Sequence, residues 1–477
     1  MHSGLVIKRS SIDRRSGMFT RSRNLCIGFV YTCLGELLLR INRESLAYRS
    51  AVLAASNILL QIMGFAYRIA LSRLAGAEGM GVHALSMQVY SVLYSVCISG
   101  AAVAVTTLSA RLYIKSGIHS VQRLMRFAAT VFLIILAVMT CPVLMLREGI
   151  AVTLLGDGRA SMALWLIPLC IMLTGLENVM KSALLGMGKV RRTAVSELVE
   201  QGIRFTLVIL LLSNLSNGDY EYIAFLIVVG MTLSEIFSVS FLGISFFRFL
   251  KKEGKLSRPY ASPIAKRFFD IALPSAMTSI CATLLSSAST VIFPARLMVA
   301  GFSNSEAVSM LGVISGMAEP LMSLPMAFVG AMCTVLMPSI SGRSEIGDIN
   351  GVRRKSNKAI RVAALFSLAT ALMIPFASVL CEALFKQRIT LLLAVMLGVK
   401  TVIGYFLVVT ISILNGIYEH KRVLLNSIIG ELLQLGLIWM LTAVPELNIY
   451  GYLAGMVVGD GLRLILNLRW VKKSLKN

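Results

Sequence analysis

The chain has 477 residues, of which 57% are hydrophobic and 14% charged, with a mean hydropathy of +0.80. No soluble core of this length hides so much apolar surface, so the composition excludes a soluble fold and indicates a polytopic membrane protein. A net charge of +23 raises nucleic acid as a partner. The basic residues, however, sit in short loops between apolar runs with no aromatic interleaving, and this excludes nucleic acid.

Residues 1–49 form a basic segment holding Arg9, Arg14, Arg15, Arg21 and Arg23. Its stretch 26–39 is apolar but short and carries Glu36. As a crossing it would put those arginines outside or invert every later loop, and as a signal peptide it lacks a small-residue cleavage site. The expectation is an interfacial helix on the inner leaflet.

Twelve stretches then have the length that a helix needs to cross the hydrocarbon core, about 20 residues each. They lie near 50–72, 84–110, 124–146, 161–184, 193–213, 222–247, 268–295, 305–338, 359–381, 390–416, 423–443 and 449–468. Most of the 46 Lys and Arg fall in the N-terminal segment, in every second loop and in the tail. The dense loops are 111–126, 181–192, 248–267, 343–361 and the Lys421-Arg422 turn, whereas the loops between them are poor in cations or acidic. The positive-inside rule places the dense loops and both termini in the cytoplasm of a multi-pass protein of the cell membrane.

A shift of about half the chain superimposes two sets of six spans. Leu185-Gly186-Met187-Gly188-Lys189-Val190-Arg191-Arg192 follows the fourth span, and Asn415-Gly416-Ile417-Tyr418-Glu419-His420-Lys421-Arg422 follows the tenth. Ser109-Ala110-Arg111 likewise matches Ser341-Gly342-Arg343. Six spans is an even number, so the repeats insert in one orientation, an arrangement that transporters use to place a site between two rocking bundles. The expected organisation is an all-α protein: a bundle of six helices at 50–247, a cytoplasmic linker at 248–267, a second bundle at 268–470 and a tail at 471–477.

Charge within a span costs on the order of 3 kcal/mol, so charges that persist there face a cavity or a partner. Arg68, toward the outer half of the first span, has the fork geometry of a bidentate phosphate ligand. Arg73, at the end of that helix, reads as a snorkelling side chain. Arg204 lies one turn beyond Glu200, with which it forms an i,i+4 pair, and remains a candidate for head-group contact. Lys400 stands alone in the tenth span and requires a carboxylate partner or a substrate phosphate. Glu319 is followed by Pro320, so a carboxylate coincides with a kink, and its protonation would couple transport to H+ or Na+. The bland alternative for Glu319 is a structural ion pair with an Arg or Lys of the other bundle. Glu177 with Lys181, Glu235, Asp460 and Arg463 read as structural, and Glu431 sits where Glu200 sits in the first half.

No nucleotide-binding, metal-protease or nucleophile-elbow string stands in a suitable context, and the four His and eight Cys form no cluster. The chain therefore reads as a non-enzyme without metal or organic cofactor.

The first span and its exit, Gly64-Phe65-Ala66-Tyr67-Arg68 through Gly76-Ala77-Glu78-Gly79-Met80-Gly81, resemble the start of the multidrug/oligosaccharidyl-lipid/polysaccharide (MOP) flippase superfamily. The GAEGMG string is most similar to its stage V sporulation protein B branch. Gly186 to Arg204, Pro325 to Pro338 and Asn448-Ile449-Tyr450-Gly451 add weaker matches. The resemblance implies two bundles facing each other in a V around a central cavity, and export of polyprenyl-diphosphate-linked sugars for cell-wall or polysaccharide synthesis. It also implies that Arg68 is one of the cavity arginines found in lipid II flippases, while Gln61 and Ser95 stand where others are basic, and that Glu319 matches an acidic position. Arg68, Arg204 and Lys400 would then hold the diphosphate. The alternatives are cation-coupled multidrug export on the same fold and a non-transporting scaffold that recruits cell-wall enzymes. A transferase is disfavoured because no long external loop carries a set of acids.

Overall fold

The computed structural model describes residues 46–216, 218–253 and 264–474; the 26–39 stretch and half of the 248–267 linker lie outside them. Residues Val52–Asn477 form one compact unit. Ten helical stretches among the described residues are long and apolar enough to cross a membrane. The first, Ala54–Ser116, has 63 residues, about three times the length that one crossing takes. Its backbone leaves the helical region at Gly76, with φ 70° and ψ −179°, a conformation that only glycine adopts without strain. Two crossings therefore share this stretch. Val190–Leu215 is a further helix whose buried charges lower its hydropathy. The set is consistent with twelve crossings.

The eighth span departs most from a regular helix. Asn304–Leu311 passes into a π-helical stretch, Gly312–Ala318, then a short helix Glu319–Met322, and resumes as Met326–Glu345. Pro320 and Pro325 lack the N–H that a continuous ladder needs, and Gly312 and Gly316 place little side chain in the way of a wider turn. Irregular backbone at membrane depth is tolerated where it lines a cavity.

Packing distinguishes the two ends of the molecule. At the end holding Leu71 to Ile98, Leu155 to Ile171, Val308 to Met322 and Cys381 to Leu397, buried side chains from both repeats make one core. At the other end the core divides: Ala104 to Ala128, Val179 to Met187 and Leu242 to Phe249 with Phe268 and Ala272 make one part, and Val329 to Ala363, Tyr405 to Leu414 and Val471 the other. The molecule is joined at one end and parted at the other. The turns at Gly117, Gly188, Gly347 and Tyr418, which carry or flank the dense basic clusters, all lie at the parted end.

The seventh span, Ile264–Val299, belongs to both sides. Its first half packs on the second and third spans, where a Cβ at Gly100 would strike the Ala272 carbonyl and Phe127 meets Phe268 edge-on at 5.4 Å. Its second half packs on the eleventh and twelfth: Arg296 donates to the Trp439 carbonyl at 2.9 Å, and Phe293 lies 4.1 Å from Tyr452 between ring centroids.

The basic clusters predict the sidedness of these ends. In a Cys-less variant, Gly347→Cys is expected to resist an impermeant thiol reagent in intact cells while Ser216→Cys reacts. Labelling of Gly347→Cys from outside would invert the topology. The same test at Gly254 falls outside the described residues.

Candidate functional site

The first span presents Gln61, Gly64, Phe65 and Arg68 at the three- and four-residue spacing that puts side chains on one helix face. The irregular eighth span presents Ser315, Glu319, Pro320, Ser323 and Leu324 opposite them. Together they enclose a cavity of about 370 Å³ between the repeats. A neighbouring cavity of about 420 Å³ shares Gly64, Arg68 and Ser315 and adds, among others, Tyr67, His83, Gln88, Gln201 and Arg204. Ser95 does not line either space.

Arg68 Nη1 donates to the Ser315 carbonyl oxygen at 3.3 Å, and its guanidinium makes no ion pair among the described residues. A neutral carbonyl at that length holds the side chain weakly, so most of its donors remain available to a ligand. Arg204 lines the same space but is held from behind: it donates to Glu200 at 2.5 Å, Glu235 at 2.9 Å and Ser234 at 3.2 Å. Lys400 bonds Glu319. The partner that the lone lysine requires is thus the kink carboxylate, which comes from its own repeat. Arg68 lines both cavities, Glu319 the smaller and Arg204 the larger, whereas Lys400 lines neither and reaches the site only through Glu319.

Behind Arg204 lies a network that sequence reading had divided into separate structural pairs. Lys181 Nζ is 2.9 Å from Glu177, 3.0 Å from Glu200 and 3.8 Å from Glu197. The Ser238 hydroxyl donates to Glu177 and lies 3.4 Å from Glu200. Glu177, Glu200 and Glu235 are buried and offer oxygens within 4.8 Å of one another. The Lys181 ammonium and Arg204 guanidinium already lie among them, which disfavours a metal ion in that space. Three buried carboxylates against two cations leave one formal negative charge over. One oxygen of Glu235 is buried with no hydrogen-bond partner. The acid-first pairs Glu177 to Lys181 and Glu200 to Arg204 signalled stable helix faces; that the two faces meet was not readable from them.

The second repeat has a counterpart. Arg463 is 2.9 Å from Glu431, bonds Asp460, and lies 3.4 Å from Gln434. Glu200 and Glu431, and Glu235 and Asp460, stand near the spacing of the internal repeat. Each half thus holds an acid–arginine–acid triad between its fifth and sixth helices, with the arginine on opposite members of the pair.

The joined end closes the site on one side. A Cβ at Gly81 would strike the Val308 carbonyl, and one at Gly312 the Ala77 carbonyl, so the second and eighth spans cross with their backbones in near contact. Arg159 is 2.5 Å from Glu78 and 2.7 Å from Asp157, and 3.3 Å from Asn304; Ser305 also bonds Glu78 at 2.5 Å. Arg73 does not snorkel as expected: it donates to the Ala383 and Leu384 carbonyls, both at 2.8 Å. These are among the last carbonyls of a helix, which lack intrahelical donors and attract a cation.

Comparison with known proteins fits this geometry. The MatE family matches residues 53–210. A multidrug resistance MATE family transporter of the MOP superfamily superimposes in its inward-facing conformation with a TM-score of 0.72, over 89% of this chain and 98% of that one, at 17% identity. The chain carries a MatE segment and shares its fold with that transporter. The outward-facing conformation of a MATE transporter of that superfamily superimposes with a TM-score of 0.64, over 90% and 95% of the two chains, also at 17% identity. Among curated proteins, stage V sporulation protein B of Bacillus subtilis (strain 168) is 22% identical over 431 residues, 89% of this chain and 83% of its own.

Proposed function

We propose that the protein is an alternating-access flippase, which carries an amphipathic substrate with an anionic head from the cytoplasmic to the outer leaflet of the cell membrane. The substrate class is a polyprenyl-diphosphate-linked oligosaccharide or cell-wall precursor. The observation that carries this reading is the 420 Å³ cavity, whose wall includes two guanidiniums, Arg68 and Arg204, and no carboxylate. Such a wall favours a phosphate over an organic cation. The similarity to a sporulation protein is compatible with a role in making cell-wall material. Delivery to cell-wall enzymes follows from that role.

The parted, basic end is then the cytoplasmic one, and the head group enters from there while the Gly81 and Gly312 contacts seal the outer end. Cation-coupled multidrug export is the second reading, favoured by the shared fold with a multidrug resistance MATE family transporter. Glu319, the one acid on the smaller cavity's wall, is held by Lys400, which leaves little free negative charge for a cationic drug. Lys400 serves the diphosphate only when Glu319 releases it, and protonation of Glu319 by the coupling ion supplies that release. Sodium would act by competing with the ammonium.

The test is the accessibility of a lipid-linked saccharide to an external reagent in proteoliposomes. Protein-dependent exposure is expected, with competition by polyprenyl diphosphate and none by a hydrophobic quaternary amine. Glu319→Gln is expected to lower transport sharply and to remove its response to a pH or Na+ gradient at matched protein amounts. Competition by the amine alone supports drug export, and an unchanged gradient response removes Glu319 from the coupling.

A further inference from the structure

A third cavity of about 520 Å³ lies between the second, third and seventh spans. Val89, Val92 and Leu93 line it from the second span, Met139 and Pro142 from the third, and Val291 is among those from the seventh. No charged side chain lines it. Its polar lining residues are Gln88 and Ser287, and Gln88 also stands on the wall of the Arg68–Arg204 cavity. The Gln88 amide donates to the Ala84 carbonyl at 3.1 Å, along its own helix. Of its lining residues Leu154 is 62% and Leu284 49% exposed, on a protein whose flanks face hydrocarbon.

We infer that this cavity is the slot in which the hydrocarbon chain of the substrate lies while its anionic head occupies the Arg68 cavity. The inference rests on the proposed function and specifies how its substrate is held. A lipid-linked head group cannot leave its tail behind, so a site between the repeats needs an apolar exit to the bilayer beside it. The slot meets that need in three ways. It abuts the cationic cavity at Gln88, it offers apolar surface to a chain that would otherwise cross a polar space, and its lining includes exposed leucines. It also follows the seam between the first repeat and the seventh span, so the chain would pass alongside two packed helices without piercing either. Bulk membrane lipid is the competing occupant.

Benzoylphenylalanine placed at Val92 or Val291 of the full chain, irradiated with a long-chain polyprenyl diphosphate, tests the slot by mass spectrometry of the adducts. Adducts are expected with the long-chain probe and are expected to fall in the Arg68→Ala background. Ala288→Trp, which fills the slot, is expected to weaken long-chain binding about tenfold or more while geranyl diphosphate binds within about twofold of normal, since only the buried methylenes are lost. If Ala288→Trp does not fold, the crosslinking decides alone. Long-chain binding that depends on Arg68 but gives no adduct at either position overturns the slot and leaves the flippase reading standing. Adducts with phospholipid that persist under excess polyprenyl diphosphate also overturn it, since bulk lipid then fills the space. Failure of both diphosphates to bind the native protein overturns the flippase reading and the slot together.

Discussion

Arg68→Ala is expected to lower transport of the lipid-linked substrate roughly 10- to 100-fold, the loss of one charge-assisted contact of about 1.5–3 kcal/mol. The thermal stability of the protein should hardly change. The reason lies in what the guanidinium does without substrate: it reaches one carbonyl, that of Ser315, at 3.3 Å, and neutralises no buried acid. Its removal therefore orphans nothing. Arg68→Lys should recover part of the activity, because an ammonium keeps the charge but loses the paired donors that fit a phosphate. Normal transport by Arg68→Ala at matched protein amounts would remove the phosphate role.

Arg204→Met should behave in the opposite way, with its main effect on folding. This arginine compensates Glu200 at 2.5 Å and Glu235 at 2.9 Å, and one oxygen of Glu235 already lacks a partner. Removing one member of a buried pair costs about 3–5 kcal/mol, largely from the charge left behind. A large fall in the unfolding temperature in detergent is expected. Adding Glu235→Gln should restore most of it, because Lys181 still holds Glu200 at 3.0 Å. A double variant no more stable than Arg204→Met would show that the arginine acts through packing or through Ser234 instead of charge.

The membrane class and helical architecture were legible because they rest on quantities that a linear sequence carries: total apolar content, helix length against bilayer thickness, and the alternation of basic loops. The near contact of the second and eighth spans was not legible, although Gly81 and Gly312 were in plain view, because a glycine does not name the backbone it admits. The site was legible one residue at a time. Lys400 announced its need for a carboxylate, and Glu319 its need for a cation, but 81 residues separate them and only the fold says that they meet. Glu177, Glu200 and Glu235 each had a bland explanation. What makes them unusual is the count of charges once three helices converge, which no single helix records. The break at Gly76 lies inside the string that carried the family resemblance, between the stretches 50–72 and 84–110 that hydropathy already separates.

The shared seventh helix bears on how the protein could be divided. The sequence repeat suggests a cut in the connection before residue 264, giving two equal pieces. Such a cut would leave the first piece without Phe268 and Ala272, which complete its core at the basic end, and the second would carry those residues as an exposed apolar flap. The unit that was duplicated and the unit that packs are therefore offset by half a helix. Motion between the halves has to be absorbed along Ile264–Val299 itself, where Pro274 and Pro294 interrupt the backbone ladder, because no loop lies between the part held by one half and the part held by the other.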